Sequence, residues 1–233
     1  KMSYYEHCRY RNFEGVVIVC ANFDDPDVIE LMNSEIPVVT IDYVHHNCTA
    51  VTSNNIQGME DLVKYIYSQG HRKIAYIHGQ EGSSVTRDRL ASFYRTIDEL
   101  GLEIPDTYVR SADYLETKGS AKQTKELLNL EDPPTCIIYP DDTSLIGGRN
   151  VIIEMGLRIP RDISVAGYDG TMISQLLYPK LTTIRQNTEM IGSEAATRLI
   201  GTIEKPRTTL VERVVIEGSL VPGQSVGAIQ PKG

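Results

Sequence analysis

No apolar run in this 233-residue chain approaches the ~18 residues that a membrane-crossing helix requires. No charged-then-apolar leader with a cleavage site marks it for export. A cytoplasmic chain with no membrane partner is therefore expected. Basic charge is also in deficit: 23 Lys and Arg stand against 31 Asp and Glu, for a net charge of −8 and a pI near 5.2. Surfaces that bind nucleic acid usually carry a basic patch and a basic pI, so this chain is not expected to contact DNA itself. Cysteine is sparse. The four, Cys8, Cys20, Cys48 and Cys136, show no CxxC spacing. Cys20 and Cys136 sit in apolar, strand-like runs and read as small buried hydrophobes in a reducing compartment.

Catalytic signatures are missing as well. There is no GxSxG elbow and no His beside a plausible nucleophile, so an enzyme is not expected. The Gly79-to-Gly82 spacing is GxxG, which fails the dinucleotide fingerprint, and no cofactor is expected. His45-His46-Asn47-Cys48 has metal-type side chains, but its spacing suits no common zinc site; it reads as a polar loop. Repeats and low-complexity tracts are absent, and only the Gly- and Pro-rich tail after Pro222 reads as loose.

What is present is an ordinary globular composition, 41% apolar and 23% charged, with enough length for one large or two smaller lobes. Apolar β-type runs alternate with amphipathic segments, which predicts parallel α/β layers. Strands are predicted over 15–20, 38–41, 50–52, 73–77, 108–111, 136–139 and 163–168. Helices are predicted over 26–33, 56–69, 85–100, 117–130, 143–155 and 188–203. Pro26 opens the first of these after Asp24 and Asp25 as cap candidates, and Gly70, Gly101 and Gly156 end three others. An edge-like β run covers 210–216. Residues 6–12 read as the end of a helix leading into a strand, so further residues are expected ahead of Lys1.

The stretch from Arg158 to Gly170, Arg-Ile-Pro-Arg-Asp-Ile-Ser-Val-Ala-Gly-Tyr-Asp-Gly, carries most information. Residues 163–168 form a β-branched run that delivers the carboxylate of Asp169 to a strand end, where open parallel sheets place ligand groups. Against that, a strand-end Asp often only caps the next turn. The loop 79–90 follows a strand and opens a helix; Ser84 is its plain N-cap candidate. Asp141-Asp142 follows another strand and offers either a paired carboxylate or a helix cap.

The wording from Arg158 to Asp169, followed by Leu181-Thr-Thr-Ile-Arg-Gln186, closely resembles the LacI/GalR family of bacterial regulators over nearly the whole chain. The resemblance implies an α/β fold of two Rossmann-like lobes, periplasmic-binding-protein-like, joined by three crossovers. The first lobe is expected over 1–53 plus 186–217, with its first strand missing, and the second over 54–185 plus 218–233. It further implies that Asp169 hydrogen-bonds the hydroxyls of a small effector and that Arg89 reaches the same ligand. Ser83 falls on a second pocket position, and Tyr114 where an aromatic stacks on the ligand ring. Asp42 matches another pocket carboxylate, against a turn-capping alternative. Family members usually carry Asn where this chain has Asp141, a departure that removes a donor and favours a ligand rich in hydroxyl or amine donors. Arg89 could equally pair with Asp169 or Asp88.

The expected function is the effector-sensing, dimerising core of a regulator. It would bind a carbohydrate between its lobes and control operator DNA through an N-terminal helix-turn-helix absent from this chain. A sugar is favoured over a purine. The runner-up is the solute-binding protein of a sugar transporter, built on the same fold.

Overall fold

The computed structural model describes residues 2–229, in two compact units. The chain passes between them three times, after Asn54, after Gln186 and after Glu217.

The first unit comprises the chain to Asn54 and Asn187–Glu217. Its sheet contains β1 (Val16–Ile18), β2 (Val38–Ile41), β3 (Thr49–Ser53) and β9 (Arg213–Ile216), in the order β1-β2-β3-β9 and all parallel. Helices α1 (Tyr4–Arg11), α2 (Pro26–Met32) and α8 (Thr188–Glu204) cover it. Because side chains alternate along a strand, Val38 enters the core built with α1 and α2, from Cys8, Val28, Leu31 and Met32. Val39 enters the opposite core, with Val51 and with Ile191 and Ala195 of α8. Both faces are thus buried, which is why these strands read as continuous apolar runs.

Helix α1 is complete in itself: Ser3 and Glu6 form a reciprocal capping box, and Asn12 closes it in the left-handed conformation. Asp25, not Asp24, caps α2. The predicted strand over 15–20 is shorter than its apolar run. Cys20 lies past its end at φ 54 and is exposed, so it is not the buried hydrophobe its sequence suggested. The other three cysteines are buried, and all four are free thiols.

The second unit comprises Asn55–Gln186 and the chain from Gly218 onward. Six strands run in the order β10-β8-β7-β6-β4-β5. They are β4 (Ile74–His78), β5 (Val109–Ser111), β6 (Cys136–Ile138), β7 (Ser164–Asp169), β8 (Thr182–Arg185) and β10 (Ser219–Val221). All are parallel except β10, which runs antiparallel along β8. Helices α3 (Asn55–Ser68) and α4 (Ser84–Glu99) pack on one face against Ile74, Tyr76, Ile138 and Tyr168. On the other face α5 (Thr117–Leu128) and α6 (Asp142–Glu154) pack on Ile77, Ile137, Tyr139 and Val165. A short helix, α7 (Met172–Leu176), links β7 to β8.

The tail corrects one expectation. Ser225 is fully buried; its hydroxyl accepts the Thr182 N–H at 2.8 Å and donates to the Val165 carbonyl at 2.6 Å. The Gly227 carbonyl accepts from the buried His71 ring at 3.0 Å. Residues 222–229 are therefore sewn to the sheet; 230–233 lie outside the described residues.

Candidate functional site

In the second unit β4, β5, β6 and β7 run parallel, so the loops that follow them leave the same edge of the sheet. Such an edge gathers residues far apart in sequence. Asp169 ends β7 at φ 92, a conformation that non-glycine residues rarely hold. The turn is made by Gly170 at φ 65, where a Cβ would lie 2.4 Å from the Arg185 backbone.

Arg89 comes to the same edge from α4. Its side chain is 3% exposed. Nε donates to the Asn55 side-chain carbonyl at 2.8 Å and Nη1 to the Pro140 carbonyl at 2.9 Å. The guanidinium lies over the Tyr168 ring, 3.4 Å from its centroid, and 5.9 Å from that of Tyr114. Nη2 stands 3.6 Å from Asp169 Oδ1, an ion pair too long to be a hydrogen bond. Asp88 is not its partner; that carboxylate faces Arg87 at 3.9 Å.

Asp169 also accepts a short hydrogen bond from the Gln186 side-chain amide. Burial raises its pKa, against the lowering pull of Arg89 and Gln186, and Asp141 raises it further. For Arg89, burial opposes the charge, but Tyr168, Tyr114 and Asp169 outweigh it and the pKa is raised. The guanidinium stays charged at any working pH.

Tyr114 follows β5 and packs against Gly79, where a Cβ would come within 2.1 Å of its ring. Its hydroxyl meets Thr86 Oγ1 at 2.9 Å. The first glycine of the 79–82 loop thus makes room for an aromatic. Ser83, not Ser84, is the N-cap residue of α4, and its side chain makes no capping hydrogen bond. Asp141 caps α6: Oδ1 accepts the Ser144 N–H at 2.8 Å, and Oδ2 accepts the Leu115 N–H at 2.9 Å and the Ser144 hydroxyl at 2.7 Å. Three protein donors already converge on it.

Sequence reasoning offered Asp142 only as half of a paired carboxylate or as a helix cap. It is fully buried and accepts from the Thr183 hydroxyl at 2.8 Å, the Thr171 N–H at 2.7 Å and the Thr171 hydroxyl at 3.0 Å. It thereby anchors the turn that carries Asp169, and Gly167 leaves it space, since a Cβ there would lie 2.2 Å from Asp142 Oδ1. Burial raises its pKa to about 6, partly countered by these hydrogen bonds, with Asp169 adding to the rise. The Asp141-Asp142 doublet hinted at it, but only tertiary contacts say which Asp caps and which braces. Gln186 and Asn55 were missed for the same reason.

In the first unit Asp42 follows β2 at φ 58, and its carboxylate accepts the Ser53 N–H at 3.0 Å. Beside it the Tyr43 ring stacks on Phe23, centroids 4.1 Å apart and nearly parallel. The His45-His46 pair lies in a loop bridged from His45 to Cys48. Among the described residues no group of three or more His, Cys, Asp or Glu side chains could hold a metal ion, and no helix is long and apolar enough to cross a membrane.

The family description "periplasmic binding protein-like domain" matches residues 63–226. An HTH-type transcriptional repressor of Bacillus subtilis (strain 168), ExuR, is 28% identical over 207 residues, covering 88% of this chain and 62% of that protein. The chain thus spans about three fifths of that relative's length. A LacI transcriptional regulator from Bacillus cereus subsp. cytotoxis NVH 391-98 superposes with a TM-score of 0.89 at 25% identity, over 97% of this chain and 80% of that one. The transcriptional regulator CelR in complex with cellobiose gives 0.84 at 25% identity, over 96% and 71%.

Proposed function

The chain belongs to the family of periplasmic binding protein-like domains, in the form that LacI-type regulators carry, and on that premise we propose that it senses a carbohydrate effector for such a regulator. The observation that carries this reading is the Arg89–Asp169 arrangement: opposite charges 3.6 Å apart, at the carboxyl edge of a parallel sheet, beside a Tyr ring. A sugar hydroxyl can donate to Asp169 and accept from Arg89 at once, while the C–H face of its ring lies on Tyr114. Ser83 and Asp141 stand in the neighbouring loops, and Asp42 is the contact proposed for the first unit. Cellobiose in the CelR complex is of the ligand class this chemistry suits.

Occupancy would bias the conformational equilibrium of a homodimer and, through it, operator binding by a helix-turn-helix segment. The rival reading, a transporter's solute-binding protein, draws no support from the repressor and regulators to which the chain is similar.

Calorimetric titration with cellobiose and a panel of mono- and disaccharides tests the effector. One sugar is expected to bind, and Asp169→Ala to weaken it by roughly ten- to a hundredfold, the worth of a hydrogen bond to a charged group. Equal affinity in the variant, or no binding by any sugar at millimolar concentration, would sink the reading.

A further inference from the structure

The long stretch of the second unit begins at Asn55 and ends at Gln186. These two residues hold the two charges of the site. Asn55, 4% exposed, presents its side-chain carbonyl to Arg89 Nε at 2.8 Å. Gln186 gives its side-chain amide to Asp169 Oδ1, and its backbone N–H to the Asp169 carbonyl at 3.2 Å. Both contacts are between a neutral dipole and an ion. A carboxylate at 55 would neutralise Arg89 and compete with Asp169 for it; a cation at 186 would neutralise Asp169. The amides orient the charges without cancelling them. With Nε and Nη1 committed to Asn55 and Pro140, the guanidinium is held short of closing on Asp169.

We propose that Asn55 and Gln186 are positioning residues for the Arg89–Asp169 pair, keeping it unclosed and tying its state to two of the three points where the chain passes between its units. The consequence for effector binding rests on the function proposed above, but the positioning itself needs no ligand. A hydroxyl that inserts between Arg89 and Asp169 would compete with Gln186 for Oδ1 and shift the guanidinium against Asn55. Occupancy would then be felt first at residues 55 and 186.

The test follows the Asp169 carboxyl titration by carbon-13 NMR in aspartate-labelled, ligand-free protein. Arg89, Asp141 and Asp142, the other charges around Asp169, are common to every variant. Gln186→Ala removes a donor to the carboxylate and should raise the Asp169 pKa. Asn55→Ala frees Nε, lets the guanidinium close on Asp169 and should lower it. Asn55→Asp, which keeps the shape of the side chain and serves if the Ala variant does not fold, should draw Arg89 away and raise it.

Hydrogen exchange then reads the tie to the crossings. Asp169→Ala, which removes the acceptor of the Gln186 side-chain amide, should speed exchange in a peptide covering 185–188, and Arg89→Met in one covering 53–57, each by about fivefold for one lost hydrogen bond. A shift in the opposite direction, no shift, or unchanged exchange in both peptides overturns the proposal. Because neither measurement uses a sugar, a failed cellobiose titration would remove the effector reading and leave this one standing.

Discussion

At the scale of single residues, the Asp169 turn depends on a carboxylate that never reaches solvent. Asp142 has its pKa raised to about 6 by burial, against an unfolded value near 4. Between those values the folded state binds more protons than the unfolded one, so this residue's contribution to stability is full below about pH 4 and is lost as pH rises through about 6. Asp142→Asn should remove that slope: compared with the parent, the variant should gain stability between pH 4 and pH 7, on the order of 2 kcal/mol. Differential melting of the two proteins across this range checks it. A constant difference would show that Asp142 does not titrate there. Two adjacent aspartates looked equivalent in the sequence; Asp141 became a cap and Asp142 a brace only because Thr171 and Thr183, distant in sequence, close on the second.

At the scale of elements, helix α6 contains the Gly147-Gly148 pair, which lowers intrinsic helix propensity. The packing explains both: a Cβ at 147 would lie 1.9 Å from the Thr117 carbonyl oxygen of α5, and one at 148 would lie 2.1 Å from the Tyr139 hydroxyl. Gly147→Ala should therefore destabilise by ~3 kcal/mol, the upper end for overpacking, because the neighbour is backbone and cannot rotate away. Gly201 in α8 has open space around its Cβ position, and Gly201→Ala should stabilise by roughly 0.4–1 kcal/mol. Urea unfolding of the two variants should move in opposite directions. The strands and long helices were legible because both sheet faces are buried and the runs are strongly apolar. Strands β8 and β10 were not: 182–185 is half threonine, and β10 is a three-residue edge, so neither carries a periodic signal.

At the scale of the whole molecule, the proposed homodimer needs an apolar face. Helix α3 spends Met59, Leu62, Val63 and Ile66 on its own core. More apolar surface is open around α7, where Met172, Leu176 and Tyr178 are 78%, 73% and 82% exposed. A contiguous apolar surface there would mark a partner's seat. Sedimentation of the chain at ~50 µM, well above the Kd expected of a stable dimer, should give a dimer, and Leu176→Glu should shift it to monomer. A monomeric parent, or a variant that stays dimeric, would rule out this face.

By itself the sequence determined the α/β class, the alternation of strands and helices along the chain, and the strand end that carries Asp169. Those depend on local periodicity, on apolar runs and on one motif, all of which are written in consecutive residues. Only the tertiary structure decided that Arg89 meets Asp169 and not Asp88, that Cys20 is exposed, and that the tail to Ile229 is stitched down through Ser225 and His71. Each of those is a contact between residues tens of positions apart or the outcome of where a strand stops, and short-range pattern holds no record of either.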